Sequence, residues 1–374
     1  MFDNVLSKLN HLSQIRSVNW KRLLRVLPQV YLDYRSGRGI SNSLLNVTLE
    51  ITYRCNAQCQ FCFASKTLPG PTRKELSVAE IMALVKSVAP LSPGFFITGG
   101  EPFVRKDIVD VLHAIKKHHL KIGINSNMSL MNEELAQSLK DVGLNYLIAS
   151  LHGPEEIHNG LVGANLHDRV LEGIKLLRAT SPGTRILVNC VVTSENMGHL
   201  KALAEEVAQA GAHALTLQHE TFITEEEVEA HDRVWGNLFN QEISSPLSVP
   251  VAPNKRCNAA TAAQVLEEAK NHGAKVGLPV FVKPDLQQAA LSEWYEERFY
   301  PRGRCSYLYT DARITPYGDV VACQSLPLVF GNIRNQPLLE IYNSETAIKF
   351  RQALQHCGGN IPGCARCCKL YRSF

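Results

Sequence analysis

Between residues 44 and 273 the sequence repeatedly alternates a short apolar or β-branched run with an amphipathic helical stretch, and this restricts the fold more than any other feature. "LLNVTLEITYRC" is followed by "SVAEIMALVKSVA", "GFFITGGE" by "DIVDVLHAIKKHH", and "KIGINSN" by "NEELAQSLKDVG". "YLIASLHG" then precedes "HDRVLEGIKLLRAT", and "RILVNCVVT" precedes "MGHLKALAEEVAQAG". A sixth run, "ALTLQHE", opens a longer, acidic, less regular stretch that leads to the helical "NAATAAQVLEEAKNHG". Strand-like runs joined by helical ones predict a parallel sheet with right-handed crossovers. The sheet is either open and doubly wound or an incomplete β/α barrel, and in both the chemistry gathers past the C-terminal strand ends.

With 374 residues, 45% of them hydrophobic, the chain has material for one large α/β domain and a smaller one. The expected division is a helical extension over 1–43, the β/α domain over 44–290 and a small module over 291–374. A formal charge of +4 without a dense basic stripe gives no nucleic-acid footprint. No apolar run is long enough to span a membrane, and the start "MFDNVLSKLNHLSQIRS" lacks a signal peptide's apolar core, so a cytoplasmic location is expected. In the extension, Trp20, Leu23, Leu24, Leu27, Val30, Tyr31 and Tyr34 recur at helical spacing. "NWKRLLRVLPQVYLDY" therefore predicts an amphipathic helix, kinked or split at Pro28 and packed on the barrel. Contact with a membrane surface or a substrate carrier is the less favoured reading of that helix. In the last module "YLYTDARITPYGDVVACQ" predicts two strands joined by a "PYGD" turn, then a helix over "LLEIYNSETAIKFRQALQH" and a cysteine-dense tail.

Cysteine usage points to chemistry. The count of eleven is odd, and all but Cys190 and Cys257 fall near residues 55–62 or 305–368, which reads as metal ligation in a reducing compartment rather than a disulfide framework. Cys190, inside "RILVNCVVT", reads as a buried structural thiol, and Cys257 carries no assignment. In "RCNAQCQFCFAS" the residues Cys55, Cys59 and Cys62 place three potential thiolates on one loop, one ligand short of the four that a metal or iron–sulfur site usually takes. Zinc would ask for a fourth Cys or His at short reach, and none is nearby. A four-iron cluster on three thiolates leaves one iron open, and an amino-acid-like ligand can chelate it through an amine and a carboxylate. "TGGEPF", at Thr98–Phe103 after the second strand, suits the far side of such a ligand. Gly99 and Gly100 allow close backbone approach, and Glu101 can orient an ammonium group.

The C-x3-C-x2-C spacing after the first strand, with Phe61 just before its third cysteine, and Gly99-Gly100-Glu101-Pro102 after the second strand resemble the radical SAM superfamily over residues 44 to about 290. The resemblance implies a partial (β/α)6 TIM-like barrel and a [4Fe-4S] cluster on Cys55, Cys59 and Cys62. It also implies S-adenosylmethionine at the open iron, with Gly99, Gly100 and Glu101 at its methionyl ammonium and Pro102 and Phe61 in the same cofactor-binding motifs. "SLHGPEEIHNGLVG" is similar to the family's Ser-Leu-Asp-Gly segment, which places Ser150 at the ribose, although His152 stands where the acidic residue usually is. Asn127 and Gln218 or His219, at later strand ends, are expected to point into the same cavity.

Cys305-x12-Gly318-x4-Cys323 followed by Cys364-x2-Cys367 is similar to the family's SPASM/twitch extension, a small α+β iron–sulfur domain. Two auxiliary clusters usually draw on seven or eight cysteines, whereas this tail offers Cys305, Cys323, Cys357, Cys364, Cys367 and Cys368. One auxiliary [4Fe-4S] cluster on Cys305, Cys323, Cys364 and Cys367 is therefore expected, with Cys357 and Cys368 spare; a zinc ribbon is the alternative.

The resemblance implies reductive cleavage of S-adenosylmethionine to a 5′-deoxyadenosyl radical and hydrogen abstraction from a substrate, with electrons from a reductant such as flavodoxin or ferredoxin. The auxiliary cluster would assist net oxidation or bond formation. Only about 43 residues precede the barrel, too few for the winged-helix leader-binding module of many peptide maturases, so a small-molecule, sugar or lipid-like substrate is favoured over a peptide. The alternatives are a ribosomal peptide maturase, aminocarboxypropyl transfer suggested by Arg366-Cys367-Cys368, and a non-enzymatic zinc-binding scaffold. No acid–base residue is assigned.

Overall fold

Local capping sets where the repeating helices start and stop. Ser77 and Glu80 form a capping box at the head of Val78–Val88, and Asn132 and Asn258 accept backbone N–H groups at the heads of Glu133–Val142 and Ala259–Lys275. Gly143 ends the helix Glu133–Val142 at φ 68°, a conformation in which glycine meets no Cβ penalty. The computed structural model describes residues 20–63, 73–239, 245–252, 256–296 and 303–370.

The strands are β1 (Asn46–Glu50), β2 (Gly94–Thr98), β3 (Ile122–Ser126), β4 (Tyr146–Ser150), β5 (Arg185–Val192), β6 (Ala214–His219) and β7 (Val280–Lys283). From β1 to β7 neighbours pair in parallel and in sequence order, as β/α repeats require. On the other side of β1 lies β8 (Asp311–Ile314), also parallel, followed by antiparallel β9 (Asp319–Val321) and β10 (Val329–Asn332). Among the described residues this is one 10-stranded sheet whose ends, β10 and β7, do not meet. The barrel is thus incomplete, and the C-terminal hairpin continues its sheet.

In β5 the side chains of Ile186, Val188, Cys190 and Val192 are fully buried, while Arg185, Leu187, Asn189 and Val191 on the other face are half-buried. The second set faces the barrel interior, where Phe96 and Tyr146 stack across β3 with ring centroids 6.3 Å apart. Tyr146 can cross there because Gly123 has no Cβ, which would lie 1.9 Å from the Tyr146 ring.

Six strands were expected before the tail, and β7 is a seventh. Its four residues are all half-buried, so they show no alternation for a periodicity argument to detect. The helices Glu155–Val162, Glu225–Phe239 and Gln288–Tyr295 and the strand β10 also exceed the expectation. The long C-terminal helix is in fact two, Leu338–Tyr342 and Glu345–His356, because Ser344 accepts the Ala347 N–H and caps the second.

The N-terminal helix, Trp20–Arg35, is one element with Pro28 inside it, so it is not split there. The side chains of Trp20, Leu23 and Leu24 lie outside the described residues. Val30 and Asp33 are buried and Tyr34 meets Tyr309 edge-on at 5.3 Å, but Tyr31 is 55% exposed and leaves the expected stripe. The partner also differs from the expected barrel. Gln355 Nε2 donates to Tyr34 O at 2.7 Å and Arg351 Nη1 to Gly39 O at 3.0 Å, so this segment straps the C-terminal module.

Candidate active site

The loop that leaves β1 carries Cys55, Cys59 and Cys62, and three neighbours hold it. From the β2 side, Gly100 N–H donates to Thr52 O at 2.8 Å and Glu101 N–H to Arg54 O at 2.9 Å. A Cβ at Gly99 would lie 2.2 Å from Thr52 O, and one at Gly100 2.2 Å from Arg54 O. Both glycines are thus required by the chain leading into Cys55, a nearer constraint than the expected approach to a ligand. From the β4 side, Gln58 N–H donates to Val162 O at 2.8 Å and Gln60 N–H to Leu161 O at 3.1 Å. From the β3 side, Asn127 Nδ2 donates to Asn56 Oδ1 and Asn56 Nδ2 to Ser129 Oγ, each at 2.8 Å.

Phe61 meets the ring of His152 edge-on at 4.8 Å. His152 Nδ1 accepts the Val191 N–H at 3.2 Å, so its proton sits on Nε2, and burial pulls its pKa down to about 3. Where the resembled family has an acidic residue, this chain has a neutral ring that packs behind Phe61.

Glu101 is 1% exposed. It caps the short turn Pro102–Val104 by accepting Phe103 N–H at 3.0 Å, and its oxygens also accept from Ser126 Oγ at 2.8 Å and Asn127 N–H at 2.7 Å. Burial nevertheless raises its pKa to about 7, against those three bonds. Arg105, which the sequence reading passed over, donates to Ile51 O at 3.0 Å and Leu76 O at 2.6 Å and fixes the same strand end.

Register places Ser150 opposite Asn189 and Val191 opposite Gln218, on the half-buried inner face of adjacent strands. Asn125, opposite Ile148, shares that face. Asn125 and Asn189 were missed, although spacing by two from Asn127 would have found the first. His219 does not join Gln218. It lies on the opposite face, buried, with Nδ1 2.6 Å from the Tyr295 hydroxyl.

The thiols form two interacting sets. Burial and the charges of Cys62 and Cys55 push Cys59 up to about 12, while burial, Glu101 and Cys62 raise Cys55. In the tail, burial followed by mutual charge raises Cys305, to about 11, and Cys364 and Cys367 still higher. Every one of the six pairings among Cys305, Cys323, Cys364 and Cys367 contributes. Cys368 interacts with Cys367, whereas Cys357 is raised by burial alone. Lys369 eases the rise at Cys305, and Arg313 and Lys369 at Cys323. Backbone contacts fix the set, with Cys305 N–H donating to Gly359 O at 2.9 Å and Leu326 N–H to Cys323 Sγ at 3.3 Å. Cys190 and Cys257 are buried apart from both sets, the first accepting Asn196 Nδ2 at 3.5 Å.

Residues 49–207 match the family model described as the radical SAM superfamily, and residues 305–368 match the one described as an iron–sulfur cluster-binding domain, SPASM. The chain belongs to the radical SAM superfamily. Its cofactors are those of a radical SAM enzyme with a SPASM domain: a [4Fe-4S] cluster, S-adenosylmethionine and an auxiliary cluster. An AdoMet-dependent heme synthase of Methanosarcina barkeri is 25% identical over 329 residues, 83% of this chain and 86% of that protein. An Fe-coproporphyrin III synthase of the same organism is 34% identical over 153 residues, 38% of this chain, which spans 37% of that relative's length. The structure of Streptococcus suis SuiB bound to S-adenosylmethionine has the same fold, with a TM-score of 0.62 over 92% of this chain and 77% of that one at 16% identity. Among the described residues no helix is long and apolar enough to cross a membrane.

Proposed function

We propose that Cys55, Cys59 and Cys62 hold the radical-generating [4Fe-4S] cluster and that Cys305, Cys323, Cys364 and Cys367 hold one auxiliary [4Fe-4S] cluster. The observation that carries this reading is closure: within each set every thiol is close enough to feel every other, and Cys357 stands outside. Among the described residues no three Cys, His, Asp or Glu side chains close on a single ion.

When bound, the first cluster and S-adenosylmethionine supply a 5′-deoxyadenosyl radical that takes hydrogen from an unactivated carbon. The chain's part is orientation. Glu101 would take the ammonium, Ser150, Asn189 and Gln218 on the inner face would line the nucleoside and substrate, and Phe61, packed on His152, would help fix the loop. The barrel of 44–290 would house this site, and in the module of 291–374 Cys305, Cys323, Cys364 and Cys367 would hold the auxiliary cluster, a one-electron acceptor suited to net oxidation or bond formation. A small-molecule substrate is favoured because the heme synthase is similar in sequence over 83% of this chain, whereas the likeness to SuiB, crystallised with its precursor peptide SuiA, is one of fold at 15% identity.

Anaerobic reconstitution of wild-type protein should give about eight irons per chain. Replacing Cys55, Cys59 and Cys62 together by Ala should leave about four and abolish S-adenosylmethionine cleavage, while Cys357→Ala and Cys368→Ala should keep about eight. About four irons in the wild type overturns the auxiliary cluster. Cleavage by the triple variant overturns the first.

A further inference from the structure

Two residues before Cys55, the Tyr53 hydroxyl donates to Glu50 Oε2 at 2.8 Å, and Oε1 of the same carboxylate accepts from Arg313 Nη2. Glu50 ends β1, and Arg313 lies on β8, the strand beside it. Arg313 stands opposite Val321 of β9 in an antiparallel pair, and Cys323 follows Val321 by two residues. A line of three side chains therefore runs from the first cysteine loop to the edge of the second set.

Stability alone is a poor reason for this ion pair. Its side chains are only 10% and 11% exposed, and at such depth desolvation offsets most of the Coulombic gain, so that an apolar pair of similar volume would serve as well. What a buried pair does keep is its field, which salt screens weakly. At the end of this line is Cys323, two residues beyond Val321, the register partner of Arg313.

We propose that the Glu50–Arg313 ion pair, oriented by Tyr53, sets the reduction potential of the auxiliary cluster. The inference rests on the reading that Cys305, Cys323, Cys364 and Cys367 hold that cluster. Reduction adds negative charge, so the guanidinium favours the reduced state and the carboxylate opposes it. Deleting one charge or the other must move the potential in opposite directions, which a merely structural pair would not do.

The test is a redox titration, followed by electron paramagnetic resonance, of the auxiliary signal in the full-length reconstituted protein. Arg313→Gln should lower the reduction equilibrium constant about tenfold, about 59 mV for one electron, and Glu50→Gln should raise it by a similar factor. Arg313→Lys, which keeps the charge, should stay near wild type and fold where Arg313→Gln does not. Unmoved potentials, shifts of one sign, or loss of auxiliary iron from both charge-deleting variants overturn the inference. Absence of an auxiliary signal in wild-type protein overturns instead the reading on which it rests.

Discussion

The carboxylate of Glu101 accepts three hydrogen bonds and is still pushed up to about 7, because the cost of burying the anion exceeds what those donors return. Two pH dependences of opposite sign follow. In the ligand-free protein the folded pKa lies above the ordinary 4.5, so this residue's contribution to stability is full below 4.5 and is lost as pH rises through about 7. Binding of S-adenosylmethionine through its ammonium needs the ionised carboxylate, so affinity should strengthen over the same rise. Calorimetry from pH 6 to 8 measures the second effect, and a flat profile would remove Glu101 from the ammonium site. Glu101→Gln should flatten it and weaken binding by roughly 1.5–3 kcal/mol. The amide must also turn an NH2 toward one of the three present donors, so ligand-free stability should fall by about 1–3 kcal/mol for the unmatched group. A variant that loses stability but keeps full affinity would make Glu101 a structural bracket only.

Elements differ in how much of their role local sequence carries. The helices with capping residues were legible because capping and a 3.6-residue period are short-range, and Cys55, Cys59 and Cys62 because a loop of eight residues needs no tertiary contact to gather them. β7 was not legible, being four half-buried residues without alternation, nor was the side of the sheet that His219 takes. The N-terminal helix shows the same limit. Its periodicity is genuine, but which face is covered depends on Tyr309, Arg351 and Gln355, some 300 residues away. Gly39 sits at φ 69° where a Cβ would lie 2.6 Å from Ile348 O, so the strap is tightly fitted. Deleting residues 1–40 should therefore loosen the C-terminal module selectively, reducing auxiliary iron while the first cluster stays. Spectra that separate the two clusters check this, and equal loss from both would contradict it. Co-sedimentation with anionic vesicles by the full chain and not by the truncation would favour the membrane reading of this helix instead.

At the scale of the whole molecule, the tail cysteines are held by groups from the far end of the barrel. Arg366, between Cys364 and Cys367 and 0% exposed, donates through Nη1 to Glu227 Oε2 and through Nε to Trp294 O, each at 2.6 Å. Its guanidinium also lies 4.2 Å from the Phe222 ring. Beside it, His231 Nδ1 accepts the Gly363 N–H at 3.1 Å. Glu227 and His231 share the helix Glu225–Phe239, so one element after β6 grips the segment that presents two of the four auxiliary thiols. In the sequence Arg366 was visible only as the neighbour of a cysteine pair, since its partners are 139 and 72 residues away. Arg366→Met should leave the Glu227 carboxylate buried without its counter-charge, at about 3–5 kcal/mol, and because metal binding and folding are coupled the auxiliary iron should be lost with the tail's order. The double variant Glu227→Gln with Arg366→Met has no stranded charge and should recover most of the stability, with the backbone contact to His231 still in place. Urea midpoints of the three proteins, read alongside iron content, decide the point. A single variant with a wild-type midpoint and about eight irons would show that the tail is held by its cluster alone.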